Sequence, residues 1–307
     1  MSFTDLLGQH FVHTALLAGA VVSVLSGAIG VFVVIRGMSF AVHAVSELGF
    51  TGAAGALFLG LDPVLGLMVG SLALGATLGA LTVRGRERDA AIGSFLAFGL
   101  GIGVLLISQF HGNATAATNL LFGSIVGVND GQLAVLGGVA ALVLAALAFG
   151  YRPLLFASVD PEGAEARGVP LRLISVLLLL LLALTTAEAI QVVGVLLVLT
   201  LVITPAAAAT RLTARPMLAL GLSVAIAFGA TEGGILLSLV KAWPTSFFIS
   251  ALSFAVYVGA RVVGRGRGAA RGAPVGRTAG VAGPRGRAPS GIAPVAGAGT
   301  EREVGRP

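Results

Sequence analysis

Long apolar runs, broken by short polar or glycine- and proline-rich interruptions, dominate the chain. They fall near 12–35, 40–60, 63–83, 90–109, 131–150, 172–187, 190–209, 216–238 and 245–263. A helix rising about 1.5 Å per residue needs roughly 20 apolar residues to cross a hydrocarbon core about 30 Å thick, and these runs approach or exceed that length. A transmembrane β-barrel would instead alternate apolar and polar positions over stretches of about ten residues. Segment 174–184 is apolar on every face, so the pattern predicts an all-α, polytopic transmembrane bundle of eight or nine spans. The transmembrane domain is expected to occupy 1–263. From 264 to 307, Gly, Pro, Arg and Ala recur with no period that would bury a core, and that stretch is expected to be a disordered tail.

Composition agrees and adds direction. Hydrophobic residues make up 56% of the 307 and charged residues 10%, against roughly 25% charged in ordinary soluble domains. The net charge of +6 does not point to nucleic acid, because the arginines lie in short loops and the tail rather than along one amphipathic face. They act instead as topology signals. An N-terminus outside and a C-terminus in the cytoplasm put Arg36, the Arg84/Arg86/Arg88 loop, the stretch from Arg152 to Arg172, Arg211/Arg215 and the tail inside, leaving only Lys241 outside. The first run follows no Lys or Arg and exceeds a signal peptide's core of about 7 to 15 residues, so it is expected to be a retained span. Segment 111–130 holds an apolar middle too short to cross, read as a re-entrant or interfacial element. Small residues four apart, at Gly66/Gly70, Gly75/Gly79, Gly99/Gly103, Gly123/Gly127 and Gly229/Gly233, are expected to let helices approach closely.

Ionisable groups at membrane depth each cost at least about 2.5 to 3.5 kcal/mol and therefore tend to mark a pathway. The second run carries Ser39, His43, Ser46 and Glu47, whose three- and four-residue steps share one helical face. An imidazole and a carboxylate one turn apart can ligate a divalent ion together, or simply hydrogen-bond each other. Without cysteine, any metal must be held by nitrogen and oxygen, which disfavours Cu(I) as cargo. Glu188, between two apolar runs, reads as an outer loop residue; Glu232, among Gly229, Gly233 and Gly234, either lines an entry vestibule or reaches the interface. The longest internal loop, 151–172, reads as a short cytoplasmic helix started by Asp160 and Pro161, carrying Glu162 and Glu165, and closed by Gly168. It is either a docking element or a bare connector. The chain has no Walker A loop and a single lysine, so ATP chemistry would belong to another subunit.

Four segments carry a family resemblance: GVFVVIRGMSFAVHAVSELGFTGAA from Gly30, LLFGSIVGV from Leu120, FASVDPEGAEARGV from Phe156 and IQVVGVLLVLTLVITPAAAA from Ile190, the last with Gly194 and Pro205. Together, over roughly residues 8 to 260, the chain resembles the membrane permease subunits of bacterial ABC importers for zinc, manganese and related divalent metals. The family usually shows Asp, three residues, then His where this chain has His43 and Glu47, so carboxylate and imidazole have traded places and the N/O pair is kept. The resemblance implies that His43 and Glu47 meet the metal in passage, with Ser39, Ser46 and Glu232 as possible pathway lining. It also implies that Asp160, Pro161, Glu162, Ala164, Glu165 and Gly168 contact a cytoplasmic ATP-binding subunit. An extracellular metal-binding protein, a second copy of the chain and the lipid bilayer are the other implied partners. The divalent metal is substrate, with no permanently bound cofactor, and the place is the bacterial plasma membrane. Zn²⁺, Mn²⁺ and Fe²⁺ all suit such ligands. Two rivals stand beside this reading: an ABC permease for iron chelates or cobalamin, which needs a wider path, and an ion-coupled secondary cation transporter in which His43 and Glu47 relay protons. A purely structural membrane protein would leave the buried charges unexplained.

Overall fold

Lipid offers no partner to backbone N–H and C=O groups, so apolar segments satisfy them internally by coiling. In the structure, a computed structural model, residues 9–80, 86–109, 123, 125–241 and 243–271 are described. Among these there are ten α-helices, one 3-10 turn at Ile125–Gly127 and no strand. The helices are α1 (His10–Ile35), α2 (Ser39–Phe58), α3 (Pro63–Ala80), α4 (Arg86–Ser108), α5 (Asp130–Val159), α6 (Pro161–Ala166), α7 (Leu171–Val193), α8 (Val195–Leu212), α9 (Pro216–Val240) and α10 (Thr245–Arg271). Six of them, α1, α5, α7, α8, α9 and α10, are long and apolar enough to cross a membrane, and Pro63–Gly79 and Ile92–Ser108 are shorter apolar helices. The fold class is all-α, as expected.

Two packed groups share one contiguous core. Helix α1 lies against α9, α8, α5 and α7, while α2 packs on α3 and α4; α7 bridges the groups through α3. Glycine sets the closest approaches. A Cβ on Gly52 would overlap the Gly66 carbonyl, and one on Gly75 would sit 2.9 Å from the Leu179 carbonyl oxygen. The pairs Gly66/Gly70, Gly75/Gly79 and Gly99/Gly103 are thus packing positions as expected, whereas Gly229 faces open space.

Side-chain contacts sort the helix ends into two faces. His10 and Asp130, 3.6 Å apart, join the starts of α1 and α5. At the other end, Arg36 donates from Nε to Ser158 Oγ (2.8 Å) and from Nη1 to Ser175 Oγ (3.2 Å), joining the end of α1 to the end of α5 and the start of α7.

Three boundaries differ from expectation. The break predicted around Glu188 lies six residues later, at Gly194 between α7 and α8, because the turn is set by backbone geometry (φ 83°, ψ 161°) that only glycine adopts readily. Helix α4 starts at Arg86, and α10 continues to Arg271, past the end of the last apolar run. Most of segment 111–130, Arg84, and residues 272–307 of the expected tail lie outside the described residues.

Candidate functional site

The site begins at the turn between α1 and α2. Helix α1 ends with Arg36 N–H donating to Phe32 O, Gly37 N–H to Val34 O and Met38 N–H to Val33 O, a closure that needs Gly37 at φ 64°. Helix α2 therefore starts after only three residues, and His43 and Glu47 fall in its second and third turns. Glu47 is 8% exposed, and Val42, Ala44, Val45 and Ser46 around it are fully buried. His43 is half-buried, with the Phe40 ring centroid 6.4 Å from its own. The Thr51 hydroxyl, one turn on, lies within donating reach of two carbonyls, Glu47 (3.0 Å) and Gly99 (2.7 Å), the second of which ties α2 to α4 at that depth.

Ser39 opens α2, half-buried, while Ser46 turns its hydroxyl back to the His43 carbonyl at 2.8 Å. The pair His43 and Glu47 thus stands on one helix with those serines at or near its side. Among the described residues, no group of three or more His, Asp or Glu side chains is arranged to hold a metal ion. One chain contributes one imidazole and one carboxylate.

Glu232 stands elsewhere. It lies on α9, which packs on α1, α8 and α10 without substantial packing on α2, and its Oε1 is 3.3 Å from where a Cβ on Gly19 would be. Glu188 is the clearest departure from expectation. Read as a loop residue, it lies inside α7 at 0% exposure, and neither of its carboxylate oxygens is hydrogen-bonded to protein; Gln191 Nε2, one turn on, is buried and unpaired too. The two apolar runs flanking it belong to one helix up to Gly194, so its surroundings are protein rather than solvent.

The loop expected as a short helix forms one. Asp160 accepts from Gly163 N–H at 2.9 Å, Pro161 takes the first position, and Gly168 at φ 79° reverses the chain. Asp160, Pro161, Glu162 and Glu165 are exposed, while Ala164 is fully buried and seats α6 on the bundle. Arg167 lies over the Phe156 ring at 5.3 Å, fixing α6 to the end of α5. Arg36, read from sequence only as a topology signal, was missed as a structural contributor; an arginine beside the turn that launches the His/Glu helix was the available signal.

Comparison with known proteins places this arrangement. The manganese transport system membrane protein MntC of Halalkalibacterium halodurans is 32% identical over 78% of this chain and 82% of its own length. The high-affinity zinc uptake system membrane protein ZnuB of Haemophilus influenzae is 29% identical over 78% of this chain and 94% of its own. A structure of PsaBC from Streptococcus pneumoniae in complex with Fab matches with a TM-score of 0.76 and 30% identity, covering 84% of this chain and 94% of that one. A putative metal-chelate type ABC transporter in an inward-facing conformation shares the fold at a TM-score of 0.63 and 18% identity, covering 82% of this chain and 85% of that one. The model of the ABC 3 transport family matches residues 9–264, nearly all of the helical bundle, and this chain is accordingly a multi-pass membrane permease of that family.

Proposed function

We propose that this protein is the membrane-spanning subunit of an ATP-driven importer of a divalent cation, Mn²⁺ or Zn²⁺, with Fe²⁺ accessible to the same ligands. The observation that carries the reading is the His43–Glu47 pair, one turn apart on a buried helix of a chain whose relatives include manganese and zinc transport proteins. An imidazole and a carboxylate inside an apolar bundle are costly unless water or a cation meets them. Cysteine is absent, so the ligand set is nitrogen and oxygen. Two ligands hold an ion poorly; a second copy of the chain across a two-fold axis would present four, enough to strip part of the hydration shell and few enough to let the ion leave.

Nine helices, α1–α5 and α7–α10, are read as spans, with residue 9 on the outer face and the arginine-bearing turns and the last helix end inside. On this reading an outer binding protein delivers the ion, and a separate ATP-binding subunit docks on α6 and drives one protomer to rock against the other. Shared fold with a chelate-type transporter does not favour chelate cargo here, because fold alone sets no substrate and a bare ion explains the His43–Glu47 pair. An ion-coupled mechanism would need no ATP-binding partner and sits poorly with membership of an ABC family.

The test is uptake of Mn²⁺ and Zn²⁺ by cells whose only importer carries His43→Ala or Glu47→Ala, with membrane levels of each variant verified. Uptake is expected to fall to that of cells lacking the protein. Normal uptake of both ions by both variants would remove the site.

A further inference from the structure

Arg36 stands between the turn that launches α2 and the two limbs that flank α6. Its backbone N–H caps α1 one residue before Gly37, α2 starts at Ser39, and its guanidinium reaches across to α5 and α7. Its two acceptors stand on either side of α6: Ser158 is two residues before Asp160, in the last turn of α5, and Ser175 is in the first turn and a half of α7. Ser158 already spends its hydroxyl hydrogen on the Leu154 carbonyl, so its oxygen is oriented to receive Arg36. One turn earlier, Phe32 meets Tyr151 edge-on at 6.0 Å, so α1 and α5 are packed together just above the clasp. The three-residue turn of Arg36, Gly37 and Met38 is closed by its own hydrogen bonds, which leaves little slack between Arg36 and the second and third turns of α2.

We infer that Arg36 is the positioning residue through which movement of the docking helix α6 reaches His43 and Glu47. A tug on α6 shifts the end of α5 and the start of α7, and both limbs hold the same guanidinium. Two hydrogen bonds to one planar guanidinium tie both limbs to the end of α1 at fixed distance and direction, and the close-packed surroundings pass on the displacement rather than absorb it. The inference rests on the proposed transport function, with α6 as the site where the ATP-binding subunit engages.

The experiment uses the full chain with its ATP-binding partner in liposomes, supplied with the outer metal-binding protein, recording ATP hydrolysed and Mn²⁺ or Zn²⁺ moved in the same sample. The main variant is Ser158→Ala/Ser175→Ala, which removes both acceptors by small truncations; Arg36→Lys, which keeps the charge but loses the planar fork, is the second. Ions moved per ATP are expected to fall about tenfold in both, with hydrolysis still running, as for the loss of an ordinary coupling free energy. A ratio equal to wild type overturns the inference, whether both rates are retained or both fall together, since a merely structural clasp would lower the amount of working complex without changing its stoichiometry. Should the wild-type complex itself move neither Mn²⁺ nor Zn²⁺, the transport reading fails first and takes this inference with it, before any variant is compared.

Discussion

Gly194 sets the turn between α7 and α8. Its φ of 83° and ψ of 161° lie in a region that side chains reach only with strain of about 1–3 kcal/mol. Gly123, also at positive φ (76°), sits against it: a Cβ on Gly123 would lie 2.5 Å from both the Gly194 nitrogen and the Val193 carbonyl carbon. Two of the segments that carried the family resemblance thus meet backbone to backbone. Gly194→Ala and Gly123→Ala are each expected to lower stability by at least the backbone strain, about 1–3 kcal/mol, with overlap adding to it at Gly123. Thermal unfolding of the purified variants in detergent checks this, and an unchanged midpoint for Gly123→Ala would contradict the close approach. Not every residue was so readable. Glu188 looked like a loop carboxylate because hydropathy averages over neighbours and one acidic residue interrupts a run; nothing in the local sequence says that α7 continues through it to a glycine six residues away. Ser46 follows His43 by three residues on α2, but its short side chain bonds back to its own helix, a choice that spacing does not encode.

At the scale of elements, hydropathy recovered the helices well and their ends less well. Length and apolar character are summed over many residues and survive local error; a boundary depends on one or two backbone angles, as at Gly37, Gly168 and Gly194. The short helix α6 shows the converse, since its signals are local and were all legible: an Asp cap, a proline in the first position and a closing glycine. Ala164, in the middle of the same helix, is fully buried and seats it on the bundle. A helix this short owes much of its population to its cap, so Asp160→Ala, at about 1 kcal/mol, should fray it, while Asp160→Asn, an equal capper, should not. If α6 is the docking element, titration of the detergent-solubilised chain with purified ATP-binding subunit should show affinity falling up to about tenfold for Ala and little for Asn. Equal losses in the two variants would point to the charge of Asp160 instead of its cap.

The whole molecule raises the question of how many chains make one pathway. Within one chain the described residues bring His43 and Glu47 together but add no third ligand, Glu232 being held against α1 on the other group of helices. If the ion passes between two copies, each dimer needs both pairs intact, and a defective protomer should silence its partner. This gives a quantitative expectation. When wild-type chains and His43→Ala/Glu47→Ala chains are expressed in equal amounts and associate at random, about a quarter of the dimers contain two wild-type protomers. Uptake per total chain should then fall to about a quarter of the all-wild-type value if four ligands are required, and to about a half if each chain carries its own path. The variant retains the cytoplasmic surface, so it still competes for the ATP-binding subunit, and co-expression with an unrelated membrane protein at the same level controls for crowding of the membrane. A fall to one half would place a complete path inside each chain and require ligands for the ion beyond His43 and Glu47; a fall to one quarter ties those two residues, through the two-fold axis, to the identical pair on the neighbouring copy.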